Sequence, residues 1–325
     1  AQNRIGGAVE ARILNADGGI SSDGVYARSG DINVTAEDSA DIEVTALAAS
    51  IAAGFGSTAI SVSGAGAEAT NRLNTTTKAH VTSSDINAFA GDVFVEADAT
   101  GNIDAVVVAA SAAVAVGSTG GGASIGVAVV RNLVGYEQTA VLATNTTSDT
   151  VPDLTKNTTI VEILAGARKG DVYKYIGDSV NESDNVIDGD GRTAQFALSA
   201  QDYGNTDLWE LVNLGEQRAV IEAAIVDSEV DAFGGVTVDA RSEQSIKATT
   251  IAGSVAVAGG SVGVAVSGSG AGVENRIATD VKAHISGAGS DVNSRYVFVN
   301  ADDISTTGRV PAAFSVSAAF GQTGV

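Results

Sequence analysis

The same long phrase is written three times in this chain, and that repetition limits what it can fold into more than any other feature. At 245–285 it reads SIKATTIAGSVAVAGGSVGVAVSGSGAGVENRIATDVKAHI. Earlier, ALAASIAAGFGSTAISVSGAGAEATNRLNTTTKAHV ends at Val81, and between the two VVVAASAAVAVGSTGGGASIGVAVVRNLVGYEQTAV ends at Val141. The tail of another copy opens the chain, from Asn3-Arg4-Ile5 through Ala11-Arg12-Ile13. A repeat of this size is a supersecondary unit that buries its apolar surface against its neighbours, so it sets the architecture before any motif is read.

Each unit also carries a short alternating phrase. Asp31-Ile32-Asn33-Val34-Thr35-Ala36 is matched by Asp92-Val93-Phe94-Val95-Glu96-Ala97, by Gly235-Val236-Thr237-Val238-Asp239-Ala240 and by Tyr296-Val297-Phe298-Val299-Asn300-Ala301. Alternation with period two is the signature of a strand with one buried face. The closing alanines 36 and 97, and again 240 and 301, are 61 residues apart, whereas 97 and 240 are 143 apart. About 80 extra residues therefore interrupt the series.

Composition fits a narrow interior. Gly is 39 of 325 residues, Pro only 2 and aromatics 5%, with Ala, Val, Ser and Thr abundant. The expected fold is all-β: a repetitive β-solenoid, parallel β-helix-like, with one inserted small β module. The boundaries read as repeats over 1–142, a module over 143–214 and repeats again over 215–325. A 61-residue unit predicts about three coils of ~20 residues, each stacked on the last at ~4.8 Å. Two other arrangements stay open. The runs flanking Gly117–Gly122 could pair as an antiparallel hairpin around the glycines. A helix over 105–116 is disfavoured by its β-branched valines.

Asn3, Asn71 and Asn275 recur at one repeat position. Stacked amides would satisfy one another along a solenoid. With several coils between units, however, they would not fall in adjacent layers, so ordinary turn positions are favoured.

The inserted segment holds Pro152, the only Trp and three of the six Tyr. It reads as a strand at 159–163 followed by 169–177, and closes with 198–203 and 207–212. Tyr173, Tyr175, Tyr203 and Trp209 are the candidate carbohydrate-binding residues, since their rings could stack on sugars; the competing reading makes them the module's own core. Asp184, Asp188 and Asp190 in DNVIDGDGR supply hard oxygens and flexible glycines suited to Ca2+, although the spacing is not that of an EF-hand loop. Ca2+ is the one cofactor suggested.

Other classes are set aside. The net charge of −21 repels nucleic acid and anionic membranes. With no Cys there is neither a disulfide nor a thiolate site. The apolar runs of roughly 10–14 residues are too short and too broken by Gly and Ser for a membrane helix, which argues against membrane insertion. His80 and His284 share a repeat position filled elsewhere by Arg12 and Ala224, which does not suit a catalytic role. The carboxylates are scattered on turns rather than clustered as in polysaccharide lyases, so no enzyme activity is expected.

The phrases "A-V-A-V-G…G-V-A-V-S-G-S-G-A…N-R-I…V-K-A-H-I" and "G-D-V-x-V-x-A" resemble units of very large repetitive bacterial exoproteins, the filamentous-haemagglutinin-like and leukotoxin-like adhesins. The resemblance covers about 250 residues. "G-D-V-Y-K-Y-I-G" and "Q-D-Y-x-x-T-D-L-W-E-L-V" are similar to small chitin- and cellulose-binding modules, which display more exposed aromatics than this segment has. The resemblance implies an extracellular, cell-surface structural or adhesive role. Expected partners are copies of itself or neighbouring repeats of one giant chain, and glycans or a host or neighbouring cell surface. The chain opens just before one Asn-Arg-Ile and closes about ten residues before the next expected one, which predicts head-to-tail stacking.

Overall fold

The computed structural model describes residues 1–17, 24–165, 168–181 and 195–321, with the backbone of 323–324. They form two compact units, a repeat body of Ala1–Gly135 with Gln217–Val325 and an inserted module of Tyr136–Glu216. The chain is nearly all β, and every strand pairing in the body's described residues is parallel. The apolar stretch over 105–116 is strand, not helix.

Register shows how the repeat is used. Ile32–Thr82 runs beside Val93–Val134, with Ile32 opposite Val93 and Leu73 opposite Val134. On its other side Val93–Val134 pairs with Gly235–Gly259 and Val262–Ile277. Ala36, Ala97, Ala240 and Ala301 are consecutive rungs of one column. The expectation of about three ~20-residue coils per unit is therefore overturned. Hydrogen-bonded neighbours lie a whole unit away, so each unit contributes a single layer.

Within a layer the chain runs out along one arm, turns and runs back along a second. In one layer these arms are 93–116 and 119–134. Side chains bring them together: the Ser111 and Ser124 hydroxyls are 2.7 Å apart, and in the preceding layer the Ser63 hydroxyl donates to Ser50 Oγ at 2.9 Å. The hairpin alternative is also overturned. Neither arm pairs its backbone with the other; both extend parallel ladders into adjacent layers. Two further strands complete a layer. Ala219–Val226 pairs with 76–82 and with Thr279–Ser286, and Glu229–Ala232 pairs with Asp85–Ala88 and Asp291–Asn293. Val25–Ala27 joins this last sheet.

The core tapers. Where the arms meet the other two strands it is built of large side chains, among them Ile32, Val34, Leu73, Val81, Ile86, Val93 and Ile103. Between the arms it thins to Ala65, Ala67, Ala105, Ala109, Ala128 and Ala252, and near the turn to Ala256, Ala258 and Ala265. A fully buried Ile or Val contributes roughly 1.5–3 kcal/mol, so the wide end carries most of the stabilisation. Gly126 marks the crowding between the arms, since a Cβ there would lie 2.4 Å from the Gly253 carbonyl oxygen.

One polar column crosses this core. Asn3 Nδ2 donates to Asn71 Oδ1 at 2.8 Å, Asn71 to Asn132 at 2.7 Å, and Asn132 to Asn275 at 3.0 Å. Asn275 Nδ2 then donates to the Gly308 carbonyl. The amide ladder exists because one unit is one layer, which removes the objection that set it aside, and it includes Asn132, which the sequence reading did not name.

The module starts at Tyr136 rather than Ala143, because Tyr136–Gln138 pairs antiparallel with Leu214–Glu216. The chain leaves the body at Gly135 and re-enters at Gln217, whose N–H donates to the Gly135 carbonyl at 2.9 Å. Gly135 has φ +73°, and a Cβ there would meet the Ala278 oxygen at 1.9 Å. Inside the module Trp209–Leu211, Val172–Tyr175, Ile160–Glu162 and Asn145–Thr146 form one sheet. The closing stretch opens with a 3-10 turn over Leu198–Ala200.

Asn71→Ala removes the ladder's central amide and leaves the buried Asn132 oxygen without a donor. We expect a loss of about 1–3 kcal/mol in urea unfolding, and a smaller loss for Asn3→Ala at the more open rung. A loss below about 0.5 kcal/mol for Asn71→Ala would show that the ladder carries no stabilising weight.

Candidate functional site

The four aromatic candidates come together, but as a core. Tyr173, Tyr175 and Trp209 are buried with Leu154, Val161, Ile163 and Leu198, and Tyr203 is half-buried against them. Ring centroids lie 4.8 Å apart for Tyr203–Trp209, 5.1 Å for Tyr175–Trp209 and 5.2 Å for Tyr173–Tyr203. Tilted and edge-on pairs of this kind are favourable in their own right. Each hydroxyl is also engaged. Tyr203 donates to the Leu198 carbonyl and Tyr175 to the Asp178 carbonyl, both at 2.9 Å, while Tyr173 accepts from Arg168 at 2.9 Å. Burial pushes the Tyr203 hydroxyl far above the usual phenol range, and burial followed by the Asp178 charge raises Tyr175. Tyr173, Tyr175 and Trp209 thus offer no open ring face for a sugar to stack on.

Beside this core is the module's open concavity, a cavity of about 410 Å3 lined by Thr147, Ile163, Ala165, Arg168, Ser199 and Tyr203. Arg168 braces it, donating to the Tyr203 carbonyl at 2.6 Å and lying 5.6 Å from the Tyr173 ring centroid. A guanidinium, two hydroxyl-bearing side chains and the border of Tyr203 can hold a polyol or a small anion. Sequence reading missed Arg168, Thr147 and Ser199, because ordinary polar residues 20–50 positions apart carry no motif. Asp184, Asp188 and Asp190 lie outside the described residues. Among the described residues no group of three or more His, Asp or Glu side chains is placed to hold a metal ion. No helix among them is long and apolar enough to cross a membrane.

On the repeat body, Arg12, His80, Ala224 and His284 form one column, with Ala224 as the rung between the two histidines. Two positions before them runs a column of alternating sign: Glu10, Lys78, Glu222 and Lys282. Lys78 Nζ is 2.9 Å from Glu222 Oε2, and His80 Nε2 is 3.5 Å from the same oxygen. Burial pushes Glu222 up, but the hydrogen bond and charge of Lys78 outweigh it and hold the carboxyl below its ordinary range. Burial, followed by the Lys78 charge, lowers His80 despite Glu222. Elsewhere like charges stack. Glu96 faces Asp239 across one rung, and burial followed by Asp239 and Glu37 raises its carboxyl. Asp98 is raised by burial and by Glu37, Asp239 and Glu243, against Arg241. No nucleophile–base pair is assembled in either column.

No family model matches this chain, and neither a curated protein nor a solved structure matches it.

Two predictions follow from these environments. Trp209→Ala removes the centre of the aromatic cluster at a cost of about 3–5 kcal/mol, and hydrogen exchange should show protection lost over 145–211 while the body ladders stay protected. Glu222 and His80 are both lowered, so their stabilisation is full above their ordinary values and is lost as pH falls through the lowered ones. Glu96 and Asp98 are raised, so their contribution is present below the ordinary value and is lost as pH rises through the raised one. Glu222→Gln should cost about 1 kcal/mol near pH 7 and flatten the acid side of a urea-midpoint profile, whereas Glu96→Gln should raise the neutral side. Identical profiles for the two variants would refute the assignment.

Proposed function

We propose that this chain is a structural segment of a long extracellular bacterial surface fibre or adhesin, in which the layers continue as a β-solenoid and assemble head-to-tail. One observation carries this reading. Every pairing in the body joins equivalent positions of successive units in the same register, as the Ala36–Ala97–Ala240–Ala301 column shows. Translation of one layer onto the next is a rule for making length, and it contains no step that assembles a catalytic centre. The repeat phrases that resemble haemagglutinin-like and leukotoxin-like exoproteins support the same role, and the acidic balance suits a long exposed rod that must not aggregate. Partners on this reading are neighbouring repeats or copies of the same chain.

A second reading keeps the body as a passive stalk and makes the module a glycan binder. The cavity beside Tyr203 favours it, with Arg168 and Ser199 as the polar contacts and Tyr203 as the apolar wall.

Negative-stain imaging of the native material, with and without EDTA, tests the first reading. Uniform fibres are expected, and their shortening in EDTA would add a Ca2+ role; isolated globules would overturn it. A glycan array tests the second, with Arg168→Ala as the control. Trp209→Ala would not serve, since it removes the module's core. Signal that Arg168→Ala leaves unchanged would exclude the cavity as the binding site.

A further inference from the structure

The arms show an apolar surface on their outward side, and on the return arm that surface has a pattern. Alternate residues of this arm face out: Ile60, Val62, Gly64 and Gly66 in one layer, then Gly121, Ala123, Ile125 and Val127, then Val264, Val266, Gly268 and Gly270. Register aligns them rung by rung, Ile60 with Gly121 and Val264, and Gly66 with Val127 and Gly270. Large residues therefore alternate with small ones along the arm and also across the layers. Near the turn, Ile60, Val62, Val264 and Val266 flank a hollow at Gly121 and Ala123. Farther along, Ile125 and Val127 form a ridge between hollows at Gly64–Gly66 and Gly268–Gly270. The ridges stand in solvent, with Ile60 74%, Val62 71%, Val266 62% and Ile125 60% exposed. A Cβ added at Gly66, Gly121, Gly268 or Gly270 would meet nothing within 4 Å. None of these positions carries a charge; Glu68, the next residue on the same side, borders the face.

We propose that this face docks against the same face of a second copy of the chain, about a two-fold axis parallel to the stacking direction and passing between positions 62 and 64. Such an axis reverses the arm and keeps the layers in line. It sets Ile60 on the partner's Gly66 and Val62 on the partner's Gly64. In the next layer Val127 falls on the partner's Gly121 and Ile125 on the partner's Ala123, and in the third Val264 falls on the partner's Gly270 and Val266 on the partner's Gly268. Every ridge meets a hollow, which is the self-complementarity an isologous contact requires. The outward side of the other arm lacks this pattern: its rungs place Ile51 beside Ala112, Val255 and Val316.

The area sets the strength. Seven residues at ~3.3 Å by three layers at ~4.8 Å is roughly 330 Å2 per partner, below the about 1,000 Å2 in total of a stable specific contact. The dimer is therefore weak, with a Kd on the order of 100 μM or above.

Sedimentation velocity over a concentration series tests the contact in the intact chain, with circular dichroism confirming that each variant folds. The native chain should pass from monomer to dimer. Gly66→Ile fills a hollow while making the face more apolar, and should weaken the dimer at least about tenfold. Combining it with Ile60→Gly exchanges ridge and hollow in one layer and should restore the dimer to within about threefold. A folded native chain that stays monomeric throughout overturns the proposal. So does stronger association of Gly66→Ile, which would mean undirected apolar adhesion, and so does partition of the native chain into phosphatidylcholine vesicles in place of dimerisation. The inference does not rest on the fibre reading: fibres without the dimer would sink only the contact, and the dimer without fibres only the fibre.

Discussion

Backbone hydrogen bonding between layers, in unshifted register, is the interaction on which the rest of the repeat body depends. The backbones of a layer's two arms do not pair with each other, so the N–H and C=O groups of 93–116 form their ladders with 32–55 on one side and 236–259 on the other. Unpaired backbone groups in the interior are costly enough that no layer is stable alone. The same fact explains how an interruption of about 80 residues is tolerated. Closing a longer loop costs only a slowly growing entropy, and the register on re-entry is fixed by Glu222 opposite Lys78 and Ile225 opposite Val81.

Unshifted register converts any repeated residue into a column, and the chemistry of the residue decides whether that column helps. Alanine columns pack without voids. Asparagine columns are self-satisfying, because each amide both donates and accepts. Charged columns depend on alternation: Glu10, Lys78 and Glu222 relieve one another, whereas Glu96 and Asp239 do not. Single substitutions between copies, Lys for Glu or Arg for His, therefore act as electrostatic adjustments between neighbours.

The repeat, the all-β class, the parallel pairing and the place where the body resumes were legible because they are periodic. The number of layers per unit was not. Val-x-Val-x-Ala says that a strand has two faces, but not which later segment it bonds to, and a polar turn such as Thr82-Ser83-Ser84 marks a corner of one large layer as readily as the end of a small coil. Asn132 escaped notice because Leu133 replaces the arginine that follows Asn3, Asn71 and Asn275. Around the candidate cavity, Tyr203 was legible as an aromatic in a segment poor in them. Its burial was legible as the competing reading, because a small module short of other large residues uses its aromatics for its own core.

The arms also explain why alternation faded where the structure is most regular. In 105–116 both faces are apolar, the inner one lined by Ala and Ser and the outer one by Val and Ala, so the period-two signal of a half-buried strand disappears. The acidic residues crowd the bases of the arms instead, at Glu37, Asp38, Asp41 and Glu43 and again at Glu96, Asp98 and Asp104. There, burial and mutual repulsion raise Glu96 and Asp98. Accumulated charge at the bases opposes contact between copies through that region. The uncharged outer parts of the arms, toward the turn, are left as the surface where close approach carries the least electrostatic penalty.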